Sequence, residues 1–296
     1  MKVDKFRTVI IYIIIILLGL VCLLPLLNIV AISFSSSAAV EGNMVGLIPV
    51  GFSTAAYEKI LEDSQFWHSF LISVERVVLT LIINFVLIVL MAYPLSKTNA
   101  QFRGRNVYAN LMIFAMLFNG GMIPTFLLVK SYGLLNTVWA LVLPGAVPIF
   151  NVILVMNFFA AVPKELEEAA FIDGANPLQV LTKIFIPISK PVLATVSLFS
   201  IVGSWNDFYS GLIYMSKAAY YPLMTYIQSL QINVEDLIKQ GNLSAVVDSA
   251  SLGNTNLNAA KIVVAVIPLL LIYPPVSYTH LRAHETDSYL VCRLLL

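Results

Sequence analysis

Residues 163–191 read PKELEEAAFIDGANPLQVLTKIFIPISKP, a charged stretch that stands between two long apolar segments. Pro163 suits the first position of a helix, and the helix dipole favours the three glutamates that follow it in the early turns. Gly174 stands where a helix C-cap needs a positive φ. Asn176, followed directly by proline, predicts the start of a second helix. The stretch therefore predicts two short helices joined by a tight turn.

Both helices are predicted to be amphipathic. In the first, Leu166, Ala169, Ala170 and Asp173 share one face. In the second, Leu178, Leu181, Ile184 and Phe185 share another, and Pro187 and Pro191 are expected to end the helix. Small alanine side chains allow the backbone of a partner to come close. Periodicity alone leaves open the alternative that this hairpin packs only on its own chain.

Outside this stretch the chain is mostly apolar. Of 296 residues, 59% are hydrophobic and 11% are charged, and the mean hydropathy is +0.88. A bilayer span needs about 20 residues as a helix. Six segments meet that length: about 9–33, 69–95, 107–129, 138–160, 191–214 and 259–275. The sequence therefore predicts an all-α membrane protein of six transmembrane helices, with the helix–turn–helix between helices four and five.

Positive charges predict the orientation. They cluster before the first helix, between helices two and three, and within residues 163–190, which share one side of the membrane if all six helices cross. The positive-inside rule places that side, the N-terminus included, in the cytoplasm. The net charge of +1, with no basic patch, argues against nucleic acid as a partner.

Common catalytic signatures are absent from the sequence. There is no phosphate-binding G-x-x-x-x-G-K-[ST] loop, no H-E-x-x-H and no G-x-S-x-G. The two cysteines give neither a disulfide framework nor a metal-ligand spacing. We expect no catalytic residues, no metal site and no directly bound cofactor.

The order Glu168-Ala169-Ala170, three residues, Gly174, nine residues, then Ile184-x-Ile186-Pro187 resembles the EAA loop of ABC importer permeases. The only departure is isoleucine for the usual leucine before the proline. AYPLSK (92–97), FNGGMIPTFLLVKSYGLLNTVWALVLPGAV (118–147) and VGSWNDFYSGLIY (202–214) extend the likeness to about residues 5–275. They resemble the carbohydrate-uptake, MalG-like branch of these permeases.

The resemblance implies a permease domain over residues 1–275 whose coupling loop, 163–190, inserts into a cleft of a separate ATPase. The implied coupling residues are Glu167, Glu168, Ala169, Ala170, Asp173, Gly174, Ile184 and Pro187. The implied partners are a second homologous permease, two ATPase copies that use ATP, and an extracellular lipid-anchored solute-binding protein. The implied location is the bacterial plasma membrane, and the implied cargo is a sugar or oligosaccharide.

Asn206 and Asp207 are polar residues inside predicted helix five. An ionisable group in a span usually faces a cavity or a partner, so Asp207 either lines the translocation path or makes an interhelix hydrogen bond. The second function class is an ion-coupled secondary transporter. That class would be expected to show buried carboxylates near the midplane and inverted repeats. Asp207 is the only clear carboxylate well inside a span, and the sequence contains no visible repeat.

The C-terminal stretch VSYTHLRAHETDSYLVCRLLL (276–296) does not fit the family pattern. The resemblance predicts that helix six continues into a short basic tail. The stretch instead resembles translated sequencing-adapter read-through. We expect residues 276–296 to be non-native and assign them no function.

Overall fold

The computed structural model describes residues 5–118, 120–230 and 255–272, with side chains from residue 8 onward. The expectation for residues 276–296 lies outside this part of the chain. Within it every regular element is helical. The helices are α1 (Lys5–Ser33), α2 (Ser37–Glu41), α3 (Ala55–Glu62), α4 (Ser64–Ser96), α5 (Arg105–Leu117), α6 (Met122–Ser131), α7 (Val138–Val142), α8 (Ile149–Ala160), α9 (Lys164–Ile172), α10 (Pro177–Val180), α11 (Ile186–Ile188), α12 (Lys190–Asn206), α13 (Tyr209–Tyr214), α14 (223–230) and α15 (Thr255–Ile272).

Three helices are each long and apolar enough to cross a membrane without a break: α1 from Thr8, α4 and α15. Within the described residues, up to three further spans are pairs of helices bent at a short break, which allows a total of up to six. One of these pairs joins residues 177–188 to α12 at 84°, so its first half is the second helix of the 163–191 stretch and not part of predicted helix five. In another pair, α7 and its 3-10 extension to Gly145 meet α8 at 47°. Proline at 144 and 148 accounts for this bend, because each proline removes a backbone donor.

Predicted helix five was wrong as a single helix over 191–214. In the structure α12 ends at Asn206 and α13 begins at Tyr209. Asp207 lies in the break, with extended backbone at φ −74° and ψ 102°. The Asp207 carboxylate accepts a hydrogen bond from the Ser210 N–H at 3.1 Å and thereby satisfies a free donor at the start of α13.

The described part of the chain divides into two compact units, the first made of residues 5–68, 226–230 and 255–268. In that unit the Phe34 ring stacks on Phe52 and on Tyr57, with ring centroids 5.6 and 4.8 Å away. The α1 side chains from Val9 to Leu27 are exposed. Nearly all of them are apolar, as expected of a helix surrounded by lipid or by another subunit.

The second unit comprises, among the described residues, 69–118, 120–225 and 269–272. Its largest core is built from α4, α8 and α12 together with the second helix of the 163–191 stretch. Fully buried members include Ala92, Val152, Val155, Val180 and Val196. This core fixes one face of the 163–191 stretch and leaves its other face free.

Candidate functional site

We define the hairpin as residues 163–190. The turn between its two helices has the predicted geometry. Gly174 has φ +81°, which confirms the expected positive φ. The Gly174 N–H donates to the Phe171 carbonyl at 3.1 Å, and the Ala175 N–H donates to the Ala170 carbonyl at 2.9 Å. These two bonds form a Schellman motif that ends α9. Pro163 lies at the N-cap of α9, one position before the predicted one.

The second helix of the hairpin begins with a capping box. The Asn176 side chain accepts from the Gln179 N–H, and the Gln179 side chain accepts from the Asn176 N–H, both at 2.9 Å. The helix runs from Pro177 to Ile188 and contains a π-helical turn at Leu181–Phe185. It therefore ends one residue after Pro187, and Pro191 lies inside α12 rather than ending the hairpin.

The inner face of the hairpin is held by an ion pair. Glu167 is buried, and the Lys97 ammonium lies 2.7 Å from its carboxylate. The Tyr93 hydroxyl donates to the same carboxylate at 3.5 Å. The Lys97 ammonium also lies 4.2 Å from the ring centroids of Tyr93 and Phe185, within the range of cation–π attraction. Glu167 thus attaches α9 to the C-terminal end of α4.

The second helix is buried through a face that only partly matches the predicted one. Val180, Leu181 and Phe185 are buried, and Ile184 is half-buried. Leu178 was expected on this face but is 62% exposed. Position 178 lies in the first turn after the capping box, where it projects from the tip of the hairpin and not toward the core.

The outer face carries most of the predicted coupling residues. Glu168, Ala169, Asp173, Gly174 and Pro187 are exposed, and Ala170 is half-buried. Around them lie exposed apolar side chains: Leu166, Phe171, Ile172 and Leu178. Ile172 is the most exposed at 86%. Large apolar side chains grouped on an exposed surface, with polar residues around them, indicate a site of interaction with a protein or a membrane.

Asp207 makes the interhelix contact that was one of its two alternatives. Arg76 is 4% exposed, and its guanidinium pairs with the Asp207 carboxylate. The same guanidinium donates to the Asp207 carbonyl at 2.9 Å. Asn206 points elsewhere and is exposed, so the structure separates the two residues that the sequence suggested together.

Asp207 also lines a cavity of about 370 Å³ within the second unit. Its polar wall includes Arg76, Thr80, Asn84, Asn151, Ser200 and Ser204. Sequence reasoning missed most of these residues. A signal was available, because polar residues at 76, 80 and 84 share one face of α4, and residues 77–92 are otherwise apolar.

A second buried cation was also missed. Lys261 in α15 is 4% exposed, and its ammonium lies 2.6 Å from the Asp63 carboxylate and 3.2 Å from the Tyr226 hydroxyl. Burial would raise the pKa of the Asp63 carboxyl. Hydrogen bonds from Lys261 and from the Phe66 N–H outweigh that effect and hold this pKa below its ordinary value.

Comparison with known proteins places this geometry in context. Residues 74–277 match the family described as binding-protein-dependent transport system inner membrane component. The chain is 40% identical to the protein LplC of Bacillus subtilis (strain 168), over 86% of this chain and 85% of LplC. It is 39% identical to the polygalacturonan/rhamnogalacturonan transport system permease protein YtcP of the same organism, over 92% of this chain and 93% of YtcP.

A solved structure is also similar. It is a bacterial ABC transporter involved in the import of the acidic polysaccharide alginate, with a TM-score of 0.81 and 32% sequence identity. The match covers 94% of this chain and 98% of that chain.

Proposed function

Because this chain belongs to the family of inner-membrane components of binding-protein-dependent transport systems, we propose that its hairpin couples the membrane path to ATP hydrolysis on a partner. The chain is a permease subunit of an ATP-driven sugar importer and forms half of the translocation path. The ion-coupled alternative is set aside by this family membership. No ATP site is assigned to the permease itself, since ATP is used by the partner ATPase.

The observation that carries the coupling proposal is the contrast between the two faces of the hairpin. Its inner face is fixed by the Glu167–Lys97 ion pair and by buried side chains of the second helix. Its outer face presents exposed apolar groups such as Ile172 and Leu178. A rigid element with a free apolar tip can transmit force from a docked partner to the spans behind it.

Each coupling residue has a separate role in this proposal. Glu168 makes charge-assisted hydrogen bonds with the ATPase. Ala169 and Ala170 permit close approach, and Asp173 and Gly174 form the turn at the tip. Glu167 acts from inside by holding α9 in place. Half-buried Ile184 and exposed Pro187 fix the path of the second helix into α12.

The remaining partners complete the importer. We place the hairpin and the N-terminus in the cytoplasm, on the basis of the positive charges. A second homologous permease supplies the other half of the path, two ATPase copies bind the paired hairpins, and an extracellular lipid-anchored protein delivers the sugar. For the cargo we propose an oligosaccharide from an acidic polysaccharide. Two similar proteins support this proposal, because each matches more than nine-tenths of this chain. One belongs to a polygalacturonan/rhamnogalacturonan transport system, and the other is involved in the import of alginate.

Gly174→Asp tests the coupling role. At φ +81° a Cβ is strained by roughly 1–2 kcal/mol. Among the described residues, its immediate neighbours in the chain aside, this Cβ would nonetheless meet no atom within 4 Å. The matched control is Gly133→Asp, because Gly133 has φ +69° and equally open surroundings in the loop after α6. We expect that the Gly174→Asp variant no longer co-purifies with the ATPase and that its sugar uptake falls at least tenfold, while its abundance in the membrane stays normal. The Gly133→Asp variant should keep native ATPase binding, sugar uptake and membrane abundance.

Uptake is measured with labelled trigalacturonate and with maltotriose, and we expect uptake of the first only. The weaker variant Glu168→Lys should reduce ATPase retention in part. The coupling proposal fails if Gly174→Asp binds the ATPase and imports sugar as the native protein does. The proposed cargo fails if maltotriose is imported and trigalacturonate is not.

A further inference from the structure

Helices α4 and α12 of the second unit face each other through polar side chains at three successive positions along their axes, which we call levels. Arg76 of α4 pairs with Asp207 at the end of α12. Eight residues further along α4, the Asn84 amide lies 3.2 Å from the Ser200 hydroxyl. The two contacts show that α4 and α12 run antiparallel here. They are about 12 Å apart along α4, at 1.5 Å per residue.

The middle level is different, because its polar groups have no partners. Thr80 lies halfway between Arg76 and Asn84, and Ser204 lies halfway between Ser200 and Asp207. Within the described residues, the hydroxyls of Thr80 and Ser204 are buried without a hydrogen-bond partner, and so is the Nε of Arg76. All three groups line the 370 Å³ cavity, and Thr80 is only 7% exposed.

Packing between helices does not account for this middle level. Polar side chains that join helices in a membrane do so by hydrogen-bonding each other, as Asn84 and Ser200 do. A buried polar group without a partner costs roughly 1–3 kcal/mol and calls for an explanation. Two unpartnered hydroxyls on the wall of one cavity indicate a place where a polar ligand supplies the missing bonds.

The chemistry of the wall selects the ligand class. Arg76 and Asp207 neutralise each other, so this wall is suited to the hydroxyl groups of a sugar ring and not to the carboxylates of an acidic oligosaccharide. Hydroxyl and amide groups both donate and accept hydrogen bonds, which suits the hydroxyl groups of a sugar ring. Ligand pockets have volumes of roughly 300–1,000 Å³, and this cavity falls in that range.

We propose that this cavity is a sugar subsite of the translocation path, in which Thr80 and Ser204 hydrogen-bond the hydroxyl groups of a passing sugar ring. The subsite rests on the proposed function, since it needs a sugar to enter the path. The Arg76–Asp207 pair lines the cavity about one helical turn from Thr80 in one direction, and the Asn84–Ser200 pair lines it about one turn away in the other.

The test uses the complete importer, with its binding protein, in proteoliposomes. In the double variant Thr80→Val and Ser204→Ala, both hydroxyls are removed with little change in volume. The matched control is Thr195→Val, the same change on α12 at a hydroxyl that bonds the Pro191 carbonyl and does not line the cavity. Uptake of trigalacturonate and of maltotriose is measured beside ATP hydrolysis stimulated by the loaded binding protein.

We expect the double variant to lose at least fivefold in sugar uptake per ATP hydrolysed, while Thr195→Val keeps the native ratio. Ser204→Cys should also react with a hydrophilic methanethiosulfonate reagent, and sugar delivered by the binding protein should slow that reaction. An unchanged uptake ratio in the double variant, or a Ser204→Cys that never reacts, would overturn the subsite. Failure of the proposed function would give a different result. In that case, the loaded binding protein would not stimulate ATP hydrolysis by the native complex.

Discussion

Glu167 and Glu168 are neighbours in the chain but differ in environment. Successive residues of a helix point roughly 100° apart, and this turns Glu167 toward Lys97 while Glu168 faces outward. The two carboxylates therefore have different roles. Glu167 determines where the hairpin stands, and Glu168 is available to whatever docks on it.

Glu167→Gln should loosen the hairpin. The Lys97 side chain is 12% exposed, so removing the carboxylate leaves a mostly buried cation without its partner. Loss of one member of a buried pair costs roughly 3–5 kcal/mol, and partial exposure places this pair toward the lower value. We expect faster hydrogen exchange across α9, measured by mass spectrometry, and reduced ATPase retention.

Glu168→Gln is the matched control, because it is the same substitution one residue away on the exposed face. It should leave hydrogen exchange across α9 unchanged. Equal exchange rates in Glu167→Gln and the native protein would show that the ion pair does not hold the hairpin. Replacing both partners, as Lys97→Met with Glu167→Leu, should restore part of the lost protection, since no charge is then left buried.

At the scale of elements, α15 carries a buried lysine in an otherwise largely apolar helix. A lysine in a membrane span requires a partner, and Lys261 finds two in Asp63 and Tyr226. Asp63 lies in the short turn between α3 and α4, so this contact ties the last described helix to the start of α4. All three residues belong to the first compact unit.

Lys261→Met should destabilise that unit by roughly 2 kcal/mol, because the half-buried Asp63 carboxylate loses its cation. The measurement is the melting temperature of the purified importer, and Lys59→Met on exposed α3 is the control. The pKa of Asp63 is lowered by folding, so its contribution is present above its ordinary pKa of 3.8 and disappears as pH falls through the lower folded value. An unchanged melting temperature at neutral pH would contradict the role of this contact.

At the scale of the whole molecule, the orientation in the membrane decides whether the hairpin can contact a cytoplasmic ATPase. Gln179 on the hairpin and Ser131 at the C-terminal end of α6 are both exposed. The positive charges predict that they lie on opposite sides of the membrane, with Gln179 in the cytoplasm.

Cysteine labelling in intact cells tests this orientation. Cys22 and Cys292 are first replaced by serine, and Gln179→Cys or Ser131→Cys is then introduced. A membrane-impermeant maleimide should label Ser131→Cys in intact cells and Gln179→Cys only after the cells are opened. Labelling of Gln179→Cys in intact cells would reverse the orientation and remove the hairpin from any cytoplasmic ATPase.

The sequence by itself determined the features that depend on near neighbours in the chain. The positive φ of Gly174 and the capping box at Asn176 are local, because their bonds join residues no more than five positions apart. The six apolar segments are equally local, since span length is a property of consecutive residues. These features were enough to predict an all-α membrane protein with a helical hairpin between helices four and five.

Only the tertiary structure decided which faces turn inward. Lipid tails are as apolar as a protein core, so apolar periodicity in a span does not distinguish a buried face from one that contacts lipid. Polar side chains in the spans do, but their partners are distant: Arg76 and Asp207 are 131 residues apart, and Lys97 and Glu167 are 70 apart. The cavity exists because α4 and α12 bring such residues together, and no local pattern specifies that meeting.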